Sequence, residues 1–294
     1  MTSSSQTKPL NDVFAAPLRD HAAQRAATDP AFRSLPDAFA NRNRLHQYFL
    51  YTFVPRNLAW AFKPNNKAGS SSVLAFLFAL EFGQPLSAEI ANPFEQDTIT
   101  HRLAEARLLA RLPEHPDVSD AQAALGQCLR FTTVRHPASR ALSGYFYICR
   151  AQQAGSEAFA RHRLRMTALV GFDWARHIGT PDGFVRFLDW VAAEDALGGW
   201  MADAHFRPQT TNIRPEILRP DIIGRTEDFG SFYAEVCARL GRELPHSAMQ
   251  PRNRQPKTDP TPFFTPEARA RIASIFAADF AAFGYEPDRI EGVA

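Results

Sequence analysis

The sequence predicts an α/β fold, a three-layer domain with a central parallel sheet flanked by helices. Three observations carry that reading. A short apolar run, a polar loop and an apolar helix follow one another over residues 57–82. The same layout recurs over residues 129–149, and a third short strand leads into a helix over residues 221–240. Strands alternating with helices indicate a parallel sheet with helices on its faces. With 294 residues, 45% of them hydrophobic and 24 of them Phe, the chain can bury a sizeable core in one large domain.

Residues 1–45 mix polar residues, alanines and scattered apolar positions. They are expected to form a partly flexible appendage of short helices packed on a single α/β domain spanning residues 46–294. The first strand is Asn57-Leu-Ala-Trp-Ala-Phe62, bounded by Pro55 and Pro64. Beyond the polar loop Lys63 to Ser72, the run Val73 to Phe82 is apolar almost all round and stops at Gly83, as a buried helix does. Leu129 to Val134 is rich in β-branched residues, and Pro137 can open a helix through Leu142, Tyr145, Phe146 and Cys149. Thr180 and Pro181 read as the cap and first position of a helix carrying Phe184, Phe187, Leu188 and Val191. Asp221 to Gly224 reads as a third strand, followed by a helix through Phe232, Val236 and Leu240 that ends at Gly241. One closing helix is expected from the cap Thr265 through Pro266, Glu267, Ile272, Ile275, Phe276 and Phe280 to Gly284.

Charge narrows the function classes. Lys and Arg number 33 against 31 Asp and Glu, a net charge of +2, which fits neither a polycation that coats nucleic acid nor an acidic disordered tail. Cys128, Cys149 and Cys237 are too few and too widely spaced for a disulfide scaffold or a four-ligand zinc site, and their odd number suits a reducing compartment. The first thirty residues hold no signal-peptide core, and the longest apolar run, Val73 to Leu80, is far shorter than the roughly 20 residues a spanning helix needs. A soluble cytoplasmic protein without membrane insertion is expected.

Two segments carry chemistry. Lys67-Ala-Gly-Ser-Ser-Ser72 stands between an expected strand and an expected helix, so its amides and hydroxyls would face whatever occupies the helix N-terminus. Gly69 permits close backbone approach, and Lys67 adds a positive charge that can follow charge developing on a leaving group. The loop lacks G-x-x-x-x-G-K-[ST], which weighs against an ordinary nucleotide triphosphatase. A solvated Ser-rich turn is the other reading of these residues. The second segment runs from Val134 to Tyr145, with Arg135 at the strand end and Ser143 eight residues on. In a helix opened by Pro137, Ser139 and Ser143 lie one turn apart, and the Arg135 fork with the Ser143 hydroxyl could hold a second phosphate. The alternative is a surface charge and a small packing residue.

Together these segments resemble the sulfotransferases that use 3′-phosphoadenosine 5′-phosphosulfate (PAPS), in particular their carbohydrate-type, family 2-like branch. In that family P-K-x-G-[ST]-[ST]-[ST] binds the 5′-phosphosulfate, and an Arg with a Ser eight residues later binds the 3′-phosphate. Asn66-Lys-Ala-Gly-Ser-Ser-Ser72 is similar to the first with Asn for Pro, and Arg135 to Tyr145 is similar to the second. Asp203-Ala-His-Phe-Arg-Pro-Gln209, Ile222-Ile-Gly-Arg-Thr-Glu-Asp-Phe229 and the tail from Phe264 to Tyr285 resemble further segments of the branch, so the resemblance spans about Leu58 to Tyr285.

The resemblance implies a P-loop-like fold and transfer of a sulfuryl group from PAPS to a hydroxyl of a small-molecule or carbohydrate acceptor. It assigns the cofactor to Lys67, Ala68, Gly69, Ser70, Ser71, Ser72, Arg135 and Ser143, with Lys67 stabilising the leaving 5′-phosphate and no metal required. The general base is open between His205, oriented by Asp203, and His115, which stands upstream of Arg135. Asp203 could itself take the proton, and His205 could merely hydrogen-bond in a loop. His136 reads as structural. The basic run Arg252, Asn253, Arg254, Lys257 is either solvated surface or a lid on the cofactor, with Arg254 as its candidate contact. Trp60 and Trp190 read as core, whereas Trp174 and Trp200 are candidates for stacking on a sugar. The rivals are a non-catalytic carbohydrate- or nucleotide-binding protein of the same fold and an unrecognised phosphotransferase.

Overall fold

Side chains along a strand alternate between faces. In the strand Trp60–Lys63 (β2), Trp60 and Phe62 enter one hydrophobic cluster while Ala61 enters another. The computed structural model describes residues 13–15, 17–35, 37–90, 98–198, 203–245 and 259–289. Around β2 lie Phe53–Val54 (β1), Ala110–Arg111 (β3), Leu129–Val134 (β4) and Ile222–Arg225 (β5), in the order β3-β1-β2-β4-β5. β2 pairs parallel with β4 in the register Phe62 to Phe131, and β4 pairs parallel with β5 in the register Phe131 to Ile222. β1 runs antiparallel to β2 and to β3. The expected parallel sheet is therefore a mixed sheet with a parallel core of three strands. The two added strands are two residues long, too short to show any alternation.

On the face of Trp60, Phe62 and Phe131 pack the helices Ser70–Phe82 (α3) and Phe229–Leu240 (α10), through Phe76, Leu77, Phe232 and Val236. On the face of Val54, Ala61 and Val134 pack His21–Ser34 (α1), Arg42–Leu50 (α2) and Ala121–Gln127 (α4), through Ala31, Phe49 and Leu125. The short helices Gln209–Ile213 (α8) and Pro215–Leu218 (α9) join that side. A third cluster unites Pro137–Gln153 (α5), Ala160–Val170 (α6), Pro181–Ala196 (α7) and Pro266–Ile275 (α11). The result is a mixed α/β architecture with helices on both faces of a sheet whose core is parallel. The expected domain division at residue 46 falls inside α2, where Leu45, Tyr48 and Phe49 are all buried.

Several boundaries move for local reasons. Asn57 to Ala59 form a turn, closed by the Ala59 amide donating to Asn57 Oδ1 at 3.1 Å and with Leu58 at φ 53°, so β2 begins at Trp60. α3 begins at Ser70, so all three serines lie in its first turn. The closing helix breaks at Phe276 (φ −105°, ψ 22°) into α11 and Ala277–Phe283 (α12), and the Asp279 carboxylate of α12 accepts the Gln209 and Thr210 amides of α8 at 2.8 Å. No Gly or Pro marks that break. α7 and α10 start and stop where their caps indicate, at Thr180 and Gly241.

Candidate active site at the carboxyl edge of the parallel strands

Because β2 and β4 are parallel neighbours, the loops that follow them leave the sheet on the same edge, the usual ligand edge of such sheets. The first loop is wound tightly. Lys67 (φ 65°) and Gly69 (φ 74°) are both left-handed, a pattern that turns successive amides inward. The Ala68 amide donates to Asn65 O at 3.1 Å, Ser70 Oγ donates to Asn65 O at 2.9 Å, and Thr133 Oγ1 donates to Ala68 O at 2.7 Å. A Cβ at Gly69 would sit 2.3 Å from the Phe229 ring, so only glycine fits there. Ser72 is buried, whereas the half-buried Ser71 hydroxyl has no hydrogen-bond partner among the described residues.

The second junction is short. Arg135 follows β4 directly, and Gln209 grips its backbone: the Arg135 amide donates to Gln209 Oε1 at 3.0 Å, and Gln209 Nε2 donates to Arg135 O at 2.9 Å. Gln209 Oε1 also accepts Asn65 Nδ2 at 2.8 Å, so one buried amide joins both junctions. The half-buried Arg135 guanidinium makes no hydrogen bond or ion pair among the described residues. Burial pulls its pKa down, opposed by the Glu227 carboxylate. Ser143 is half-buried and also without a partner among the described residues, and one turn earlier Ser139 Oγ is buried and unpaired. The Arg135 guanidinium and the half-buried Ser143 hydroxyl, both without partners among the described residues, fit an anion.

The third piece is the turn at 203–207. The Asp203 carboxylate accepts the His205 amide at 3.0 Å and lies 2.5 Å from His205 Nδ1. Burial acts to raise the Asp203 pKa, but the hydrogen bond and charge of His205 prevail and hold it below the usual carboxylate range. In the neutral tautomer that directs Nδ1–H at Asp203, the lone pair would stand on Nε2, which lies 2.9 Å from Asn66 Nδ2. Arg140 of α5 fastens this turn to the first loop, donating to Asn66 O at 2.9 Å, to Ala204 O at 2.9 Å and to Arg207 O at 2.8 Å. Its pKa is brought down to about 10 by burial.

The fold thus gathers Lys67, the loop to Ser72, Arg135, Ser143 and His205 at one edge. It does not bring His115 there. His115 is 1% exposed, its Nε2 lies 2.8 Å from Arg56 O and its Nδ1 accepts the Asp117 amide at 3.1 Å. Arg56 follows β1, which runs antiparallel to β2, and so lies toward the opposite end of that strand. With both ring nitrogens engaged and burial lowering its pKa, His115 is a packing residue. His136 has both ring nitrogens engaged as well, accepting the Ala138 amide at 3.3 Å and lying 3.1 Å from Glu286 O. Trp60 and Trp190 are in the core. Trp174 packs on Phe172 with its Nε1 donating to Thr167 Oγ1 at 3.0 Å. Trp200, Arg252, Asn253, Arg254 and Lys257 lie outside the described residues.

Sequence reasoning passed over Asn65, Arg140, Tyr147 and His162. Tyr147 touches both Lys67 and His205. The buried His162 lies 3.9 Å from Asp203 Oδ2, opposite His205. Among the described residues no group of three His, Cys, Asp or Glu is placed to hold a metal, and no helix is long and apolar enough to cross a membrane.

No curated protein and no solved structure matches the chain. Residues 66–286, most of the chain, match the Sulfotransferase family. The match opens at Asn66, beside Lys67, and ends just past Tyr285, so it encloses Lys67, Arg135, Ser143 and His205. With that span and that geometry, the chain belongs to the sulfotransferase family.

Proposed function

We propose that this protein transfers a sulfuryl group from PAPS to a hydroxyl of an acceptor, a carbohydrate or glycolipid, by in-line displacement. One observation carries the reading: a lysine on a tightly wound loop and a carboxylate-oriented imidazole touch the same tyrosine ring, with an arginine unpaired among the described residues on the adjoining junction. The Arg135 guanidinium and the Ser143 hydroxyl fit the 3′-phosphate that separates PAPS from ATP. The α3 amides with Ser70, Ser71 and Ser72 fit the 5′-phosphate.

Bound there, the donor would supply an activated sulfuryl group on a phosphate leaving group. Lys67 would hold its ammonium against the charge that develops on that phosphate. His205 Nε2 would take the acceptor hydroxyl proton, and Asp203 would steady the resulting imidazolium. Positioning and charge stabilisation would do most of the work, as in phosphoryl transfer. The described cysteines, Cys128, Cys149 and Cys237, are all buried and unpaired, which supports action in a reducing compartment such as the cytoplasm.

Calorimetric titration with 3′-phosphoadenosine 5′-phosphate (PAP), AMP and ATP tests the reading. Wild type should prefer PAP over AMP by about 10- to 100-fold, the worth of charge-assisted hydrogen bonds, and Arg135→Ala should lose that preference. Equal binding of the three nucleotides would overturn the PAPS assignment. PAP binding without turnover on any hydroxyl acceptor would favour a binding module of the same fold.

A further inference from the structure

Lys67, Tyr147 and His205 meet on one ring. Tyr147 stands on α5 one turn beyond Ser143 and two beyond Ser139, so the same helix stripe carries all three. Its side chain is buried, yet the Lys67, His205 and Arg150 side chains all reach its ring. The Lys67 ammonium lies over its face, 3.9 Å from the centroid, and the His205 imidazole packs at 5.1 Å with an interplanar angle of 31°. Phe159 closes the arrangement, edge-on to Tyr147 and to His205 at 5.3 Å each. Two of these neighbours, Lys67 (φ 65°) and Phe159 (φ 62°), hold left-handed backbones that side chains with a Cβ rarely adopt. Such conformations persist where surrounding contacts over-determine them, and they concentrate at functional sites.

We propose that Tyr147 is a positioning residue of this site, its ring seating the Lys67 ammonium of the first loop and the His205 imidazole of the 203–207 turn against one surface. A free lysine side chain spreads over many rotamers, and a ring face beneath its ammonium narrows them. The cation is then pre-placed at the loop mouth when the donor arrives, and the affinity saved on ordering it goes to binding. The same ring fixes the imidazole at the height of the lysine, so the two loops keep their register although they are 138 residues apart in sequence. The inference rests on the sulfotransferase reading for what Lys67 and His205 do, and on the ring contacts for how they are held.

A double-mutant cycle on PAP binding, measured by calorimetry with the full chain, separates the two. Lys67→Met should weaken PAP by about 30-fold, the loss of a charged contact to the 5′-phosphate. Tyr147→Leu should weaken it by about fivefold, and Tyr147→Phe should restore it, because the ring is what seats the cation. The double variant, Lys67→Met with Tyr147→Leu, should bind no more weakly than Lys67→Met alone. If the two losses multiply instead, or if Tyr147→Leu binds like wild type, the seating role is overturned while the PAPS assignment stands. If wild type does not bind PAP, it is the PAPS assignment that falls.

A second measurement needs no Tyr147 variant and covers the case in which Tyr147→Leu does not fold. The chain holds four lysines, Lys8, Lys63, Lys67 and Lys257, so its reductively ¹³C-methylated form gives a sparse spectrum. The Lys67 signal, assigned by its absence in Lys67→Arg, should lie upfield of free dimethyl-lysine through the ring current of Tyr147 and stay upfield when PAP binds. A Lys67 signal at the free position before PAP is added would overturn the proposal.

Discussion

Between β2 and α3 the chain takes residues 64–69 and two left-handed conformations; between β4 and α5 it turns at Arg135 and His136 alone. The first junction is wound on itself by Asn65, Ala68 and Ser70, and offers amides, hydroxyls and one lysine whose ammonium rests on the Tyr147 ring. The second is clamped from outside by Gln209 and offers one guanidinium on a fixed backbone. A wound loop can close around a group whose charge changes during the reaction, whereas a pinned arginine reads a group that must stand at one place. The contrast matches a leaving phosphate at the first junction and a recognition phosphate at the second.

Arg140 is where the comparison breaks most easily. It grows from the helix of the second junction, yet its guanidinium satisfies the Asn66 carbonyl of the first and two carbonyls of the 203–207 turn. Arg140→Leu keeps the apolar stem but leaves three carbonyls without their donor. We expect a loss of about 4 kcal/mol in chemical denaturation, near the top of the range for single substitutions, because each orphaned buried acceptor costs about 1–3 kcal/mol. A loss under about 1 kcal/mol would mean that the junctions hold their places independently.

Gly69→Ala sharpens the comparison by striking the first junction alone. The added methyl would meet the Phe229 ring at 2.3 Å on a backbone at φ 74°. Overpacking and the left-handed penalty together predict about 3 kcal/mol of destabilisation. PAP binding should fall while the Arg135-dependent preference over AMP survives in whatever affinity remains. Loss of that preference would show that the wound loop also sets the arginine.

The two junctions were unequally legible. β4, Pro137 and the Arg135 to Ser143 spacing are local signals, and the second junction stands close to where the residues predict it. For the first junction the sequence points to an anion site, but Gly69 is a turn residue on either reading. Its close fit under Phe229 depends on a helix 160 residues later. Asn65, Gln209 and Asp279 form their network across the whole chain, so no spacing rule exposes it. Tyr147 follows Ser143 by one helical turn and carries no local signal until the structure sets Lys67 on its face. His115 failed for the converse reason: a histidine between Glu114 and Pro116 looks like surface loop, and only the fold shows Phe14 packed edge-on to its ring at 5.2 Å.

The smallest effects lie within the second junction, between two serines one turn apart. Ser139 Oγ is buried with no partner among the described residues, so in the free protein it carries an uncompensated desolvation cost. Ser143 is half-buried and open at the same edge. Ser139→Ala should therefore leave the free protein as stable as wild type or more stable by up to about 1 kcal/mol, and should change PAP affinity little, because its hydroxyl lies below the surface that a phosphate can reach. Ser143→Ala should leave stability unchanged and weaken PAP by about fivefold, the worth of one hydrogen bond to a charged group that stays partly solvated. The pair is read by thermal denaturation with and without PAP. If Ser139→Ala weakens PAP more than Ser143→Ala does, the phosphate sits one helical turn nearer the strand end, and the arginine reads it together with the buried hydroxyl.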